Sequence, residues 1–254
     1  MRGITQMSAE DWSKASLVAL DWEMTGCDPE VNFPVAAGVT MRVEGKISKH
    51  LVKFPVPCFP AHDFKEFKDQ PGWEERCVRE FWSTLSPELL DQLRHPDALP
   101  EWPKDATPEQ WEAAVLKMKQ ALQAFMQWVR HHIESMPEEP ILLTDNGVYD
   151  WPIANYYIHR YRFPETKDSK EARPLSYSFK WGYMSTYDVG DMLRPFDKKA
   201  VKEIIAEDTS VKHNHVPDED AAMIVRKFEI ATELTAAMKP FEAQIFESRK
   251  RKLE

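Results

Sequence analysis

The segment Ala15-Ser16-Leu17-Val18-Ala19-Leu20-Asp21-Trp22-Glu23-Met24-Thr25-Gly26 passes from an apolar run to two acids and then to turn residues. A short apolar run that ends in polar and turn residues predicts a buried strand followed by a loop. Because side chains alternate between the two faces of a strand, Asp21 and Glu23 share one face while Trp22 packs on the other. We therefore expect a sheet that carries two neighbouring carboxylates where this strand ends.

These two carboxylates suggest a metal site. Asp21 and Glu23 repel each other when both are charged, and a divalent cation beside them removes that repulsion. Oxygen ligands of this kind suit Mg²⁺ or Mn²⁺ better than zinc. The alternative is that Asp-x-Glu is no more than the polar end of a strand, since such tripeptides are common.

Another acid follows a second apolar run, in Ile141-Leu142-Leu143-Thr144-Asp145-Asn146-Gly147-Val148-Tyr149-Asp150-Trp151-Pro152. The pattern predicts a strand, a turn at Asn146-Gly147 and a helix that begins at Asp150. An acid at that position can cap the helix, interact with its positive end or bind a metal ion, and these roles stay open. Asp145 is a weaker candidate, because a residue just past a strand in an Asx-type turn already makes local contacts.

The third segment with candidate residues is His213-Asn214-His215-Val216-Pro217-Asp218-Glu219-Asp220-Ala221-Ala222. Pro217 and the following acids mark a helix start, which places Asp220 near the first turn and His215 on the preceding loop. Histidine titrates near neutrality, so a neutral imidazole can accept a proton at physiological pH. Two alternatives stay open: a transition-metal site that includes His213 and His215, or surface histidines beside an acidic helix N-terminus. The helix continues as an apolar stripe of Ala221, Ile224, Val225, Phe228 and Ala231.

The order Asp-x-Glu, Asp, and His-x4-Asp followed by Ala resembles the three motifs of the DEDDh 3′–5′ exonucleases. This ribonuclease-H-like group includes polymerase proofreading subunits and oligoribonuclease, and residues 21–29 are especially similar to the oligoribonuclease form of the first motif. The resemblance implies that a quartet of acids holds two Mg²⁺ or Mn²⁺ ions and that His215 is the general base. The implied metal ligands are Asp21, Glu23, Asp150 and Asp220.

The same resemblance implies further roles and shows two departures. Met24 and Thr25 match the positions that approach the terminal nucleotide and its 3′-hydroxyl. Tyr187-Asp188-Val189 resembles the strand before the third motif, which makes Asp188 structural rather than a metal ligand. The departures are a segment after the third strand that is longer than a minimal member needs, and His213, which is a second candidate for the base.

Together these implications define an expected function. The chain resembles a metal-dependent exonuclease that hydrolyses single-stranded nucleic acid from a free 3′ end to nucleoside 5′-monophosphates. RNA is placed ahead of DNA because of the resemblance at Glu23-Met24-Thr25-Gly26, although no motif reveals contacts to the 2′-hydroxyl. One alternative is a nucleic-acid-binding protein that kept the fold and lost catalysis. Another is a non-nuclease metal-dependent phosphoesterase built on His213 and His215.

The composition indicates a single intracellular domain. With 254 residues and 43% hydrophobic content the chain can bury a substantial core, and we expect one domain over residues 1–254. Within it, residues 55–106 approximately form an insertion after the third strand, and residues 240–254 form a basic C-terminal tail. The three cysteines lack zinc-type spacing, and residues 1–14 contain no apolar signal segment. We therefore expect free thiols, a location in the cytoplasm or nucleus, and no membrane partner.

The charge balance bears on the kind of nucleic-acid partner. The formal net charge is −9, with 33 basic and 42 acidic residues. Nonspecific binding along a duplex depends on phosphate neutralisation by basic residues, so this balance argues against a protein that coats duplex DNA. It does not argue against a nuclease, because metal-binding acids account for part of the charge and bound cations reverse its local sign.

Between the motifs the pattern predicts an α/β fold, with a ribonuclease-H-like mixed sheet flanked by helices. Val35 to Val43 and Ile47 to Phe54 flank Glu44-Gly45-Lys46 and indicate a hairpin. Thr107-Pro108-Glu109-Gln110 starts a helix with a capping box. The apolar face of that helix predicts packing on the sheet and comprises Trp111, Val115, Met118, Leu122, Phe125, Val129 and Ile133.

The expected insertion carries two neighbouring aromatic residues, Phe81 and Trp82. Loops over the face of a fold often contact substrate, and an aromatic ring can stack on an unpaired base with about 1–3 kcal/mol. Trp82 is therefore a candidate for substrate binding. The alternative is that both rings anchor the insertion.

Overall fold

A computed structural model of the chain describes residues 14–60, 64, 67, 70–145, 149–160, 186–208 and 213–250, with backbone alone for 155, 158–160 and 239–250. The predicted turn at Asn146-Gly147 lies outside these residues. So do residues 1–13 and the last four residues of the expected basic tail.

The fold is built on a sheet of five strands in the order β3-β2-β1-β4-β5. β1 pairs antiparallel with β2, which pairs antiparallel with β3, whereas β1–β4 and β4–β5 are parallel. The predicted mixed sheet and the predicted hairpin are therefore confirmed. The strands are β1 (Leu17–Met24), β2 (Pro34–Val43), β3 (Lys46–Lys53), β4 (Ile141–Thr144) and β5 (Thr186–Asp188).

Helices flank the sheet on both sides, which confirms the predicted α/β class. In the described part of the chain they are α1 (Glu75–Glu80), α2 (Pro87–Leu93), α3 (Pro108–Ser135), α4 (Asp150–Arg160), α5 (Val189–Leu193), α6 (Lys198–Glu207) and α7 (Pro217–Lys250). A single 3₁₀ turn covers Trp82–Thr84 between α1 and α2. None of the described helices is both long and apolar enough to span a bilayer.

Strand β1 separates two apolar clusters because its side chains alternate between the faces of the sheet. On one face Leu17 and Ala19 pack with the apolar stripe of α7. On the other face Val18, Leu20 and Trp22 belong to the larger core, which includes residues of α3, α4 and the segment after β3. The face that holds α7 is therefore the face on which the next two side chains of β1, those of Asp21 and Glu23, project.

Helix α3 begins and packs as its sequence predicts. Thr107 and Gln110 form a complete capping box, with Pro108 at the first helical position. The Trp22 ring packs edge-on against Phe125 of this helix, with centroids 5.6 Å apart. The buried side chains of α3 are Met118, Leu122, Phe125, Met126, Val129 and Ile133.

The segment after β3 is anchored to the end of β1. The Glu74 amide donates to the carbonyl oxygen of Thr25 at 2.9 Å, and the Trp82 indole donates to that of Met24 at 2.9 Å. Buried backbone groups at the end of a strand need such partners. Residues 74–82 therefore lie directly beside the end of β1, where the acids emerge.

Helix α7 is fixed on β2 by three residues that share one face of that strand. Gly38 lets the first turn of α7 approach closely, since a Cβ there would lie 1.9 Å from the backbone nitrogen of Asp218. The Thr40 hydroxyl donates to the Asp218 carbonyl oxygen at 2.9 Å. Arg42 forms a 2.6 Å ion pair with Glu229, about three turns further along the helix. These contacts set the height of the α7 N-terminus above the sheet.

We expect Gly38→Ala to destabilise the protein by about 1–3 kcal/mol, the usual cost of overpacking. The added methyl group meets backbone atoms of residues 217 and 218, so helix and strand must separate. Urea denaturation measures the loss in the free energy of unfolding. Gly190→Ala is the matched control, because its Cβ would meet an Asp188 side-chain oxygen at 3.0 Å rather than backbone. Equal unfolding midpoints for the parent and Gly38→Ala would contradict this account of α7.

Candidate metal centre

Three separate segments bring acidic side chains together at the end of β1. One ligand oxygen from each of Asp21, Glu23 and Asp220 lies within 4.8 Å of the others. A second group with the same spacing contains Asp21, Asp145 and Asp150, so Asp21 is common to both. Glu23, Asp150 and Asp220 are only 8%, 2% and 5% exposed. The structure thus brings together all four acids that the sequence selects and adds Asp145 to them.

Asp150 is held from two sides at the start of α4. The Thr144 hydroxyl, at the end of β4, donates to Asp150 Oδ2 at 2.8 Å. The Trp22 indole donates to the Asp150 carbonyl oxygen at 3.1 Å. Trp22 therefore connects β1 to α4 through the core face of the sheet, while Asp21 and Glu23 occupy the opposite face. The acid is also in the first turn of α4, where its charge interacts favourably with the helix dipole.

Asp220 organises the loop that carries the histidines. Its Oδ1 accepts a hydrogen bond from the Asn214 amide at 3.1 Å, and its Oδ2 accepts one from the His215 amide at 3.0 Å. His215 has a φ of 60°, in the left-handed region that few residues other than glycine adopt. The loop is thus held in an uncommon conformation by a residue of the acidic cluster itself.

The imidazole of His215 faces the acids. Its Nδ1 lies 3.9 Å from Glu23 Oε1, and the Phe81 ring packs edge-on against it with centroids 5.0 Å apart. His213 lies on the outer side, with its Nε2 3.5 Å from Asp220 Oδ2 and a side chain that is 56% exposed. Of the two histidines, His215 is therefore the one placed between the carboxylates and the segment after β3.

Asp145 is closer to the cluster than its local sequence suggests. Two residues beyond Leu143, it lies at the end of β4, and Leu143 packs with the α7 cluster. Its Oδ2 forms a 3.2 Å ion pair with Lys227 Nζ, and Lys227 comes two helical turns after Asp220 on α7. Two spacings are the signals that would have predicted this pair: the seven residues between Asp220 and Lys227 on a helix, and the two residues between Leu143 and Asp145 along a strand and its end.

Burial dominates the electrostatics of the acids. It raises the pKa of Asp21 and of Glu23 well above the ordinary values, with neighbouring carboxylates adding to the effect. Burial also raises the pKa of Asp150 to about 7, against a lowering by the Thr144 hydrogen bond. The pKa of Asp220 is raised by burial as well. Without a cation, the four acids therefore do not all stay charged at neutral pH.

The pKa of His215 is shifted downward, in the opposite direction to that of the acids. Burial lowers its pKa below the ordinary value, and the neighbouring His213 lowers it further, whereas Asp220 raises it. A lowered pKa favours the neutral ring at physiological pH, which is the form that accepts a proton.

The donor set of the cluster fits a divalent cation. Carboxylate oxygens from Asp21, Glu23, Asp150 and Asp220 are hard ligands, and a bound cation supplies the positive charge that burial of several carboxylates requires. These acidic groups can therefore hold metal ions.

The structure buries the three residues for which substrate contacts are predicted, Met24, Thr25 and Trp82. Thr25 and Trp82 are fully buried and Met24 is 3% exposed. The Thr25 hydroxyl donates to the Gly72 carbonyl oxygen at 2.5 Å and accepts from the Phe33 amide at 2.7 Å. Trp82 packs among other aromatic rings, and these contacts anchor the segment after β3.

The structural role expected for Asp188 is confirmed. Asp188 ends β5 and caps α5, accepting a hydrogen bond from the Asp191 amide at 3.1 Å.

Comparison with solved structures gives a weak structural likeness. The chain is similar to the structure of a moderately thermophilic Exonuclease I from Methylocaldum szegediense, with 14% sequence identity and a TM-score of 0.40. The match covers 84% of this chain and 40% of the other, so the chain spans less than half of that protein's length. No model of a protein family and no curated protein matches the sequence.

The raised acid pKa values make the stability of the metal-free protein depend on pH. The folded protein binds more protons than the unfolded chain, whose acids titrate near about pH 4. The resulting stability is fully present below that value and is lost as pH rises through the folded pKa, about 7 for Asp150. In EDTA, we expect the free energy of unfolding measured by urea denaturation to fall from about pH 5 to about pH 8. Asp150→Asn should flatten this slope. A free energy of unfolding that rises over the same pH range would contradict the raised pKa values of the acids.

Lys227→Met should destabilise the metal-free protein by about 1 kcal/mol, as expected for a partly exposed ion pair. The substitution removes the cation that lies 3.2 Å from Asp145 and leaves this carboxylate beside Asp21 and Asp150. Thermal unfolding in EDTA measures the change. Adding Asp145→Asn to Lys227→Met should restore most of the loss, because it removes the charge that lost its partner. If the double variant is no more stable than Lys227→Met, Lys227 does not compensate the negative charge of Asp145.

Proposed function

We propose that this chain is a metal-dependent 3′–5′ exonuclease that acts on single-stranded nucleic acid and releases nucleoside 5′-monophosphates. The observation that supports it is the convergence of Asp21, Glu23, Asp150 and Asp220 from three distant segments, with one imidazole beside them. Isolated acids at strand ends or helix starts have structural explanations. Four that meet in a buried cluster need a cationic partner.

The four acids would hold two Mg²⁺ or Mn²⁺ ions. When bound, such ions activate the attacking water and stabilise the charge that develops on the phosphodiester. The fold contributes rigid positions for the ligands, since Thr144 and Trp22 fix Asp150 and backbone amides orient Asp220. Removing interactions of this kind around a metal ligand often lowers metal affinity or activity by roughly 10–100-fold.

His215 is the proposed general base. A neutral imidazole accepts a proton from the attacking water, and the nearby Glu23 carboxylate, 3.9 Å from Nδ1, stabilises the imidazolium that forms. The bond between phosphorus and the 3′-oxygen of the preceding nucleotide breaks, and the terminal nucleotide leaves as a 5′-monophosphate. Chain shortening then continues from the new 3′-hydroxyl. Phe81 limits the orientations of the imidazole by packing against its ring.

The remaining parts of the proposal concern substrate and setting. The preference for RNA over DNA rests on the resemblance at Glu23-Met24-Thr25-Gly26. We also propose one domain over residues 1–254, with an inserted segment at about 55–106, and an intracellular location from the sparse cysteines.

The proposal predicts 3′-end shortening of 5′-labelled single-stranded RNA and DNA in Mg²⁺ or Mn²⁺. Asp150→Asn should reduce the rate by more than about 100-fold, because a ligand outweighs the partners that orient it. His215→Ala should reduce turnover by about 10²–10⁴-fold, the usual contribution of a general base, while leaving Mn²⁺ binding intact. Denaturing gels and Mn²⁺ electron paramagnetic resonance measure the two quantities.

Matched controls separate chemistry from general damage. Asp105→Asn and His131→Ala change the same residue types at exposed positions in the described chain and should behave like the parent. Parent-like cleavage by Asp150→Asn would show that this residue is not a ligand. An oligonucleotide that binds without shortening would favour the inactive binding protein, and hydrolysis of a small phosphodiester alone would favour the phosphoesterase.

A further inference from the structure

The loop before α7 holds a second set of metal-binding atoms. Ligand atoms of His213, His215 and Asp220 all lie within 4.8 Å of one another. This set shares Asp220 with the carboxylate cluster but contains two imidazole nitrogens, so its chemistry differs. Mg²⁺ prefers oxygen ligands, whereas two imidazoles and a carboxylate suit a borderline transition-metal ion such as Zn²⁺.

The distances favour a zinc ion without a large rearrangement. His213 Nε2 and Asp220 Oδ2 are 3.5 Å apart. Tetrahedral zinc with bonds of about 2.0–2.1 Å places neighbouring ligands roughly 3.4 Å apart. The His213 and His215 rings lie with centroids 4.5 Å apart at 78°. A ligand nitrogen of His215 lies within 4.8 Å of those of His213 and Asp220.

The surroundings favour an accessible site. His213 and His215 have side chains that are 56% and 38% exposed, so an ion can enter from solvent and keep a water as its fourth ligand. Asp220 is oriented by hydrogen bonds from the Asn214 and His215 amides. Such outer hydrogen bonds strengthen metal binding by a carboxylate.

We propose that His213, His215 and Asp220 bind one Zn²⁺ ion and that this ion inhibits the nuclease. Zinc engages the lone pair that His215 needs to accept a proton, and it withdraws Asp220 from the carboxylate cluster. The inhibitory part rests on the proposed function, whereas zinc binding itself does not. His213 belongs to the zinc site but is neither a proposed ligand of the catalytic metals nor the proposed base, which allows the two functions to be separated by substitution.

Zinc binding is measured on the purified full-length chain by competition with a chromogenic chelator. The parent should bind one high-affinity Zn²⁺, and His213→Gln should weaken that affinity by at least about 10-fold. His131→Gln, at an exposed histidine on α3, is the control and should bind as the parent does. Equal zinc affinity of His213→Gln and the parent would overturn the site.

Inhibition is measured on 5′-labelled oligonucleotide in saturating Mg²⁺ with increasing Zn²⁺. His213→Gln should retain Mg²⁺-dependent shortening, and its half-inhibitory zinc concentration should rise by the same factor as its zinc dissociation constant. Parent and variant inhibited at the same zinc concentration would overturn the inhibitory role. If the parent shows no shortening in Mg²⁺, the proposed function fails, and the chelator competition still decides the zinc site.

Discussion

Burial of like charges at the end of β1 is the constraint to which much of this structure responds. Asp21 and Glu23 lie on the same face of one strand, and the parallel neighbour β4 and the helix α7 bring further carboxylates to them. Asp21, Glu23, Asp150 and Asp220 are desolvated, and charged carboxylates this close raise the free energy of one another. The compensating groups are specific: the Lys227 ammonium, the Thr144 hydroxyl, and the amides of residues 214 and 215. A fold without a use for this cluster would be more stable with apolar residues here.

The alternation of β1 connects this cluster to the main core. Trp22 lies between the two acids in sequence and on the opposite face in space, where its ring contacts Phe54, Phe125 and Tyr157. The same ring donates a hydrogen bond to the Asp150 carbonyl oxygen. Packing in the core therefore fixes the relative position of the first and second acidic segments. Such rigidity matters because metal ligands must be held to within a fraction of an ångström of a productive arrangement.

Local periodicity predicted the elements that carry the site, and it failed where burial depends on distant contacts. The two-residue repeat placed Asp21 and Glu23 on one face, and the capping box and apolar stripes predicted α3 and α7. The burial of Trp82 could not be predicted from its neighbours, because nothing local shows that its indole reaches the end of β1. Asp145 was underestimated because its turn was considered without α7, whose Lys227 comes from 82 residues away in sequence. Contacts between segments, rather than residue types, decided both cases.

Helix α7 is held in place by contacts that lie outside the proposed active site. Its contacts with Gly38, Thr40 and Arg42 lie on β2, one strand away from the acids of β1, and they do not depend on a cation. The helix can therefore keep Asp220 at its height above the sheet while the acids are partly protonated. Cation binding then requires little rearrangement, because the ligand atoms in each group already lie within 4.8 Å of one another. Because this preorganisation comes from strand β2 and not from the acids, substitutions in the cluster should change metal binding without unfolding the helix that presents it.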